Sequence, residues 1–222
     1  MPTRGQRIGI WIIAAFMLVG TIGSFIAIVL ANSNQQSDKE RAQTEYAAYQ
    51  KEAAEYQTKV DAQAAVLSKQ YFDTFNTYAS KPAAFESESV TKLKTEDLVV
   101  GTGNDITADS SFSAYYLGWN PSGKVFDGSI NEDKTSLKAP LAVTPGGVID
   151  GWTQGTAGMK VGGIRELTIP AALAYGETGS GEDIPANTPI KFIVMVIPTP
   201  EAIAQPQPSQ RLIEYYNQGL IQ

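Results

Sequence analysis

The chain has 222 residues, 43% of them hydrophobic, a formal net charge of −6, and neither histidine nor cysteine. Those absences exclude imidazole and thiolate catalysis, disulfides and the usual zinc sites, leaving carboxylates, hydroxyls, amines, aromatics and backbone amides as the chemical repertoire. The acidic balance excludes a nucleic-acid partner, which needs a concentrated basic face.

Residues 1–34 read as a cytoplasmic N-terminus and a transmembrane anchor. Arg4 and Arg7 precede Ile8 to Leu30, an uncharged run of about 23 residues, long enough as a helix to span a bilayer core of ~30 Å. The first charges beyond it, Asp38, Lys39, Glu40 and Arg41, are mixed, so the positive-inside rule keeps the N-terminus cytoplasmic and exports the chain beyond Asn32. Small residues around Val29-Leu30-Ala31 make a cleaved signal peptide the competing reading. The run exceeds a usual signal core of roughly 7–15 residues, which favours an anchor left in place.

Residues 35–83 read as a helical stalk. Ser37 with Glu40 forms a capping box, and no Gly or Pro interrupts the chain through about Lys69. Tyr46, Tyr49, Ala53, Tyr56, Val60, Gln63 and Leu67 form a heptad-like stripe. At ~1.5 Å per residue such a helix extends on the order of 45–50 Å. The stripe offers a seam for a coiled-coil homodimer, but Ala, Tyr and Gln63 make it thin, and a monomeric stalk with a half-wet or packed face is favoured. Tyr71, Phe72, Phe75 and Tyr78 come next, and Pro82 ends any helix, which places a domain boundary near Lys81.

Residues 84–198 turn short and strand-like: Val90 to Val100, Phe112 to Trp119, Ile164 to Ile169 and Ile190 to Ile197, between Gly-, Asn- and Pro-rich turns. Phe112, Ala114 and Tyr116 fall on one face of the second strand, with Ser113, Tyr115 and Leu117 on the other. Val148 to Met159 suits a short helix. An antiparallel sheet wrapped on one short helix is the simplest assembly. Residues 199–222 form a tail spaced by Pro200, Pro206 and Pro208, then a weak amphipathic helix with Leu212, Ile213, Tyr216 and Leu220 that would dock on the stalk.

Several catalytic patterns fail. Gly118 to Lys124 has the glycine and lysine spacing of a phosphate loop, but Val125 stands where a hydroxyl must hold magnesium. Gly101-Thr-Gly103 reads as a turn. Glu177, Glu182 and Asp183 read as a solvated acidic loop, so no metal and no cofactor are expected. No nucleophile elbow or Ser-x-x-Lys set is present.

There remains an ordered series of phrases: Phe112-Ser-Ala-Tyr-Tyr116-Leu-Gly118, Gly123-Lys-Val-Phe126-Asp127-Gly-Ser129, Gly146-Gly-Val148-Ile149-Asp-Gly151-Trp152, Val161-Gly-Gly163-Ile-Arg-Glu-Leu-Thr-Ile-Pro170, Ala174-Tyr175-Gly176 and Ile184-Pro185-Ala-Asn-Thr188 to Phe192. The series resembles the FKBP-type peptidyl-prolyl isomerase domain over roughly Ala84 to Pro198. The resemblance implies an α+β fold, a bent antiparallel β-sheet wrapped around a short α-helix, here behind the anchor and stalk of a membrane-bound, bacterial-type member. It implies Trp152 as the floor of a proline pocket and Tyr116, Phe126, Val148, Ile149 and Phe192 as its walls. The Ile149 N–H and the Tyr175 hydroxyl would donate to substrate carbonyls, Asp127 would face the twisted amide, and Ile184 and Ser180 would contact substrate at the rim. Two departures stand out. Lys138 to Val143 offers only small groups where the family has another wall aromatic, and no Arg follows Asp127, leaving Lys134 or Lys138 to pair with it. They imply a more open pocket and weakened macrolide binding.

The implied function is cis–trans isomerisation of X-Pro bonds in unfolded, exported polypeptides. This needs no proton transfer or covalent step, consistent with the missing His and Cys. The alternative is a weakly active or inactive module that holds unfolded chains or a partner.

Overall fold

Helix α1 (Ser33–Asn76) opens the part of the chain that the computed structural model describes, residues 33–221. The expected anchor, Ile8 to Leu30, lies outside the described residues, and among those described no helix is long and apolar enough to cross a membrane. The backbone is already helical at Ser33, so Ser37 and Glu40 lie inside the helix rather than at its start. At the other end α1 runs past Lys69 to Asn76, because Tyr71, Phe72 and Phe75 continue the three- and four-residue spacing set by Leu67.

The described residues divide into two compact units, one formed by Ala64–Glu201 and the other by residues 33–63 with those from Ala202 on. The first holds one antiparallel sheet: β1 (Lys94–Val99), β2 (Phe112–Trp119), β3 (Val125–Gly128), β4 (Leu141–Val143), β5 (Ile164–Ile169) and β6 (Ile190–Ile197). The order is β1-β5-β6-β2-β3, with β4 paired to β2. Three strands coincide with their expected residues, whereas the first is shorter than Val90 to Val100. Helix α2 (Asp150–Thr156) is the short helix expected within Val148 to Met159.

The strand period of two splits the apolar residues into two clusters. On the front face Phe112, Ala114, Leu167, Ile169, Ile190, Phe192, Val194 and Val196 pack with Val148, Ile149 and Trp152. On the back face Tyr115, Leu117, Trp119, Ile164, Ile193, Met195 and Ile197 meet Phe75, with Leu67, Tyr71 and Phe72 packed against them. The last turns of α1 therefore belong to the sheet unit, which begins at Ala64 rather than near Lys81. Phe75 is fully buried, and Ser68 Oγ accepts a 2.8 Å hydrogen bond from the Leu137 N–H. The Tyr115 hydroxyl and Trp119 Nε1 are buried there without a partner among the described residues, and burial pushes the Tyr115 phenol up to about 12.

In the second unit, helix α3 (Gln210–Asn217) is capped by Ser209, whose side chain accepts from the Leu212 N–H. Leu212 and Ile221 pack with Ala42 of α1, together with Tyr46, Tyr49, Tyr216 and Leu220. Arg211 pairs with Glu45 at 2.9 Å. The tail thus docks on the stalk helix. Two ends of the heptad-like stripe, Tyr46 with Tyr49 and Leu67, are packed within the chain itself, each in its own unit.

Because Phe75 fills the back face, Phe75→Ala is expected to cost about 3–5 kcal/mol in a urea titration followed by Trp fluorescence. A fragment starting at Ala84 is expected to fail to fold, while one starting at Asp38 keeps a cooperative transition. A stable Ala84 fragment would show that α1 is dispensable.

Candidate active site

Front-face residues of β2, β3, β6 and α2 converge at one end of the sheet. The pairing of Gly118 with Asp127 and Leu117 with Gly128 sets Phe126 and Asp127 beside Tyr116. Ser129 secures that register: it is buried, its Oγ accepts from the Tyr116 N–H at 2.9 Å, and its N–H donates to the Tyr116 carbonyl at 2.8 Å. Gly118 leaves room for the aromatic rings. A Cβ there would stand 2.5 Å from Phe192 Cε1 and 2.8 Å from Phe126 Cζ, closer than any side chain tolerates.

Trp152 and Phe192 are at the centre. Their ring centroids lie 5.3 Å apart at 83°, the Tyr116 ring meets Trp152 at 5.5 Å and 81°, and Phe126 meets Phe192 at 5.6 Å and 86°. Such edge-to-face contacts match the ring quadrupoles and hold each wall in one orientation. Helix α2, which carries Trp152, is pinned from its C-terminal end by Arg165, a buried side chain absent from the expected set. Its guanidinium donates to the carbonyls of Gly155 at 2.9 Å and Ala157 at 3.1 Å, satisfying acceptors left open where the helix stops. The same group forks onto Asp97 at 2.6 and 3.0 Å, and those hydrogen bonds hold the Asp97 carboxyl below its ordinary range.

The polar groups divide into engaged and idle. The Tyr116 hydroxyl donates to Asp127 Oδ2 at 2.5 Å, and Asp127 Oδ1 accepts from the Gly128 N–H at 2.8 Å. Neither expected lysine takes part: Lys138 Nζ donates instead to the Gly128 carbonyl at 2.9 Å, and Lys134 sits in a turn with φ 57°. By contrast, the Tyr175 hydroxyl and the Ile149 N–H have no acceptor among the described residues. Burial first, then the Asp127 charge, pushes the hydroxyls of Tyr116 and Tyr175 above the ordinary phenol value, so both stay protonated donors.

All eight residues expected at the catalytic pocket, Tyr116, Phe126, Asp127, Val148, Ile149, Trp152, Tyr175 and Phe192, line one concavity. A ninth, Leu141, was missed. It comes from β4, whose pairing of Leu141 with Ala114 brings it against the front cluster. Its signal was the alternation Leu141-Ala142-Val143 within a segment read only as small groups. The two expected rim residues, Ile184 and Ser180, are not among these nine. Ile184 is 4% exposed and packs in the front core, while the Ser180 N–H donates to the Ile184 carbonyl, closing the loop. Gly118 to Lys124 is a hairpin turn between β2 and β3, closed by the Asn120 N–H on the Lys124 carbonyl at 3.0 Å.

The sequence model of the FKBP-type peptidyl-prolyl cis-trans isomerase matches residues 103–197. The FK506-binding protein of Neisseria meningitidis is 38% identical over 104 residues, covering 46% of this chain and 91% of that protein. The chain belongs to this isomerase family. The probable FK506-binding protein of Corynebacterium glutamicum is 39% identical over 106 residues, covering 47% of this chain and 85% of the other. FK506-binding protein 4 of Dictyostelium discoideum is 42% identical over 107 residues, which is 28% of its length. The residues matched by the family model, 103–197, lie within the sheet unit and leave α1 and α3 outside.

In this FKBP-type domain Gly118→Ala is expected to push Phe126 and Phe192 apart, at a stability cost of about 1–3 kcal/mol. The fall in proline-peptide affinity should exceed the part explained by the lost folded fraction, as measured by titration of tryptophan fluorescence. An unchanged affinity would show that the rings do not need that space.

Proposed function

We propose that the chain catalyses cis–trans isomerisation of X-Pro bonds by taking the prolyl ring into the Trp152 concavity, desolvating the amide and holding it twisted. The observation that carries this reading is the coincidence of edge-to-face aromatic walls with two idle donors, Ile149 N–H and Tyr175 hydroxyl, at one opening.

The barrier of ~18–20 kcal/mol comes from amide resonance, which places negative charge on the carbonyl oxygen and keeps the bond planar. Water stabilises that charge, and the apolar walls remove the water. The Tyr175 and Ile149 donors would hold the carbonyls flanking the rotating bond, so the two ends are gripped while the amide turns. Asp127, kept in place by Tyr116 and the Gly128 N–H, presents negative charge that disfavours the charge-separated planar form. Contacts that fit the twisted state better than either planar isomer lower the barrier, each ~1.4 kcal/mol giving a tenfold rate.

The clients in this reading are exported polypeptides, with the chain tethered by Ile8 to Leu30 and its isomerase domain outside the cytoplasm. The uncharged run behind Arg4 and Arg7 supports the tether. Membrane fractionation with protease added from outside tests it: recovery of the domain in the soluble cytosolic fraction would reject the tether.

Turnover is tested by a protease-coupled assay on proline peptides. Trp152→Ala is expected to lower kcat/KM at least tenfold while the fold persists. Because the two hydroxyls titrate above their ordinary range and no proton moves, kcat/KM should stay flat from about pH 6 to 9. Binding of proline peptides without turnover would favour the holding module instead.

A further inference from the structure

We infer that Asn120, helped by Lys124 and Asp183, is a positioning clamp that holds the Tyr175 loop against the wall carrying Phe126, and so sets how tightly substrate is gripped. The inference rests on the isomerase reading above.

The loop from Tyr175 to Asn187 is knitted by its own backbone. Gly179 N–H donates to the Tyr175 carbonyl at 3.1 Å, Ser180 N–H to Ile184 at 2.7 Å, and Asn187 N–H to Gly176 at 2.8 Å. Gly179, at φ +68°, allows this closure, since a Cβ would meet the Pro185 carbonyl carbon at 2.7 Å. A loop tied only to itself would swing as a unit. Ile184 anchors its base in the front core, and the next residue back, Asp183, faces the β2–β3 hairpin.

Asn120 is built to receive it. Its Oδ1 accepts from the Ser122 N–H at 3.1 Å, the Ser122 hydroxyl at 2.7 Å and the Lys124 N–H at 3.1 Å. Three donors on one oxygen settle the amide orientation, and the opposite Nδ2 then donates to the Asp183 carbonyl at 2.9 Å. Lys124 Nζ adds an ion pair to Asp183 Oδ1 at 2.5 Å. These two side chains are 61% and 37% exposed, so the pair is screened, and the partly buried Asn120 amide is the stronger member. Lys124 lies two residues before Phe126. The clamp therefore couples the segment bearing one wall and Asp127 to the loop bearing the Tyr175 donor.

Asn120→Asp separates the clamp from the turn, because it keeps the three-way acceptor while replacing the donor to Asp183 with a carboxylate oxygen that repels the Asp183 carbonyl. The expected result in the full chain is a rise in KM for a proline peptide of about threefold to tenfold with kcat within about twofold, the mark of lost uniform binding. Amide exchange at Ser180 and Asn187 should quicken by a comparable factor. A merely structural loss would lower apparent kcat and leave KM alone, and that result, or unchanged exchange at both amides, overturns the clamp. Should Asn120→Asp not fold, Asp183→Asn carries the test through the ion pair: about twofold faster exchange at Ser180 is expected at low salt, and no change contradicts. A wild-type protein without turnover rejects the isomerase reading alone, and amide exchange then decides the clamp by itself.

Discussion

Strand β2 is buried on both faces, and the rest of the sheet unit is arranged around that constraint. Alternation sends Phe112, Ala114 and Tyr116 forward and Tyr115, Leu117 and Trp119 backward, and β6 repeats it with Phe192, Val194 and Val196 against Ile193, Met195 and Ile197. Two apolar faces need two covers. Helix α2, seven residues long, covers the front. Where Trp152 of that helix meets the rings of Tyr116 and Phe192, the walls leave the concavity. The back face is closed by the last turns of α1.

The site is thus a by-product of core packing that small features keep open. Gly118 withholds a side chain where two rings converge, and Arg165 holds α2 from its far end so that Trp152 stays under Tyr116. Tyr116 has two tasks, with its ring forming a wall and its hydroxyl orienting Asp127. Since Ser129 binds both backbone groups of Tyr116, the phrase from Val125 to Ser129 serves register as much as chemistry.

Local pattern made much of this legible. Three strands matched residue for residue, because alternating apolar runs bounded by Gly and Pro leave few other registers. The eight pocket residues came from the resemblance of the ordered phrases to the isomerase family, since local pattern alone reads their aromatics as core. The failures share a cause, namely long-range contact. The aromatic run from Tyr71 to Tyr78 read as a boundary because nothing in it names Trp119 and Tyr115 as partners. Leu141 was overlooked because its role depends on β4 pairing with β2. Ser37 looked like a cap although the helix is already formed at Ser33.

The central claim is that the concavity floored by Trp152 turns the X-Pro bond. Magnetisation-exchange NMR on a peptide with a single X-Pro bond, recorded with substoichiometric protein, measures that turning without an auxiliary protease. Uncatalysed exchange takes tens to hundreds of seconds. The account predicts exchange fast enough to give cross-peaks between the cis and trans signals, and their loss in Trp152→Ala. Folded wild-type protein that leaves the exchange at its uncatalysed rate would contradict it.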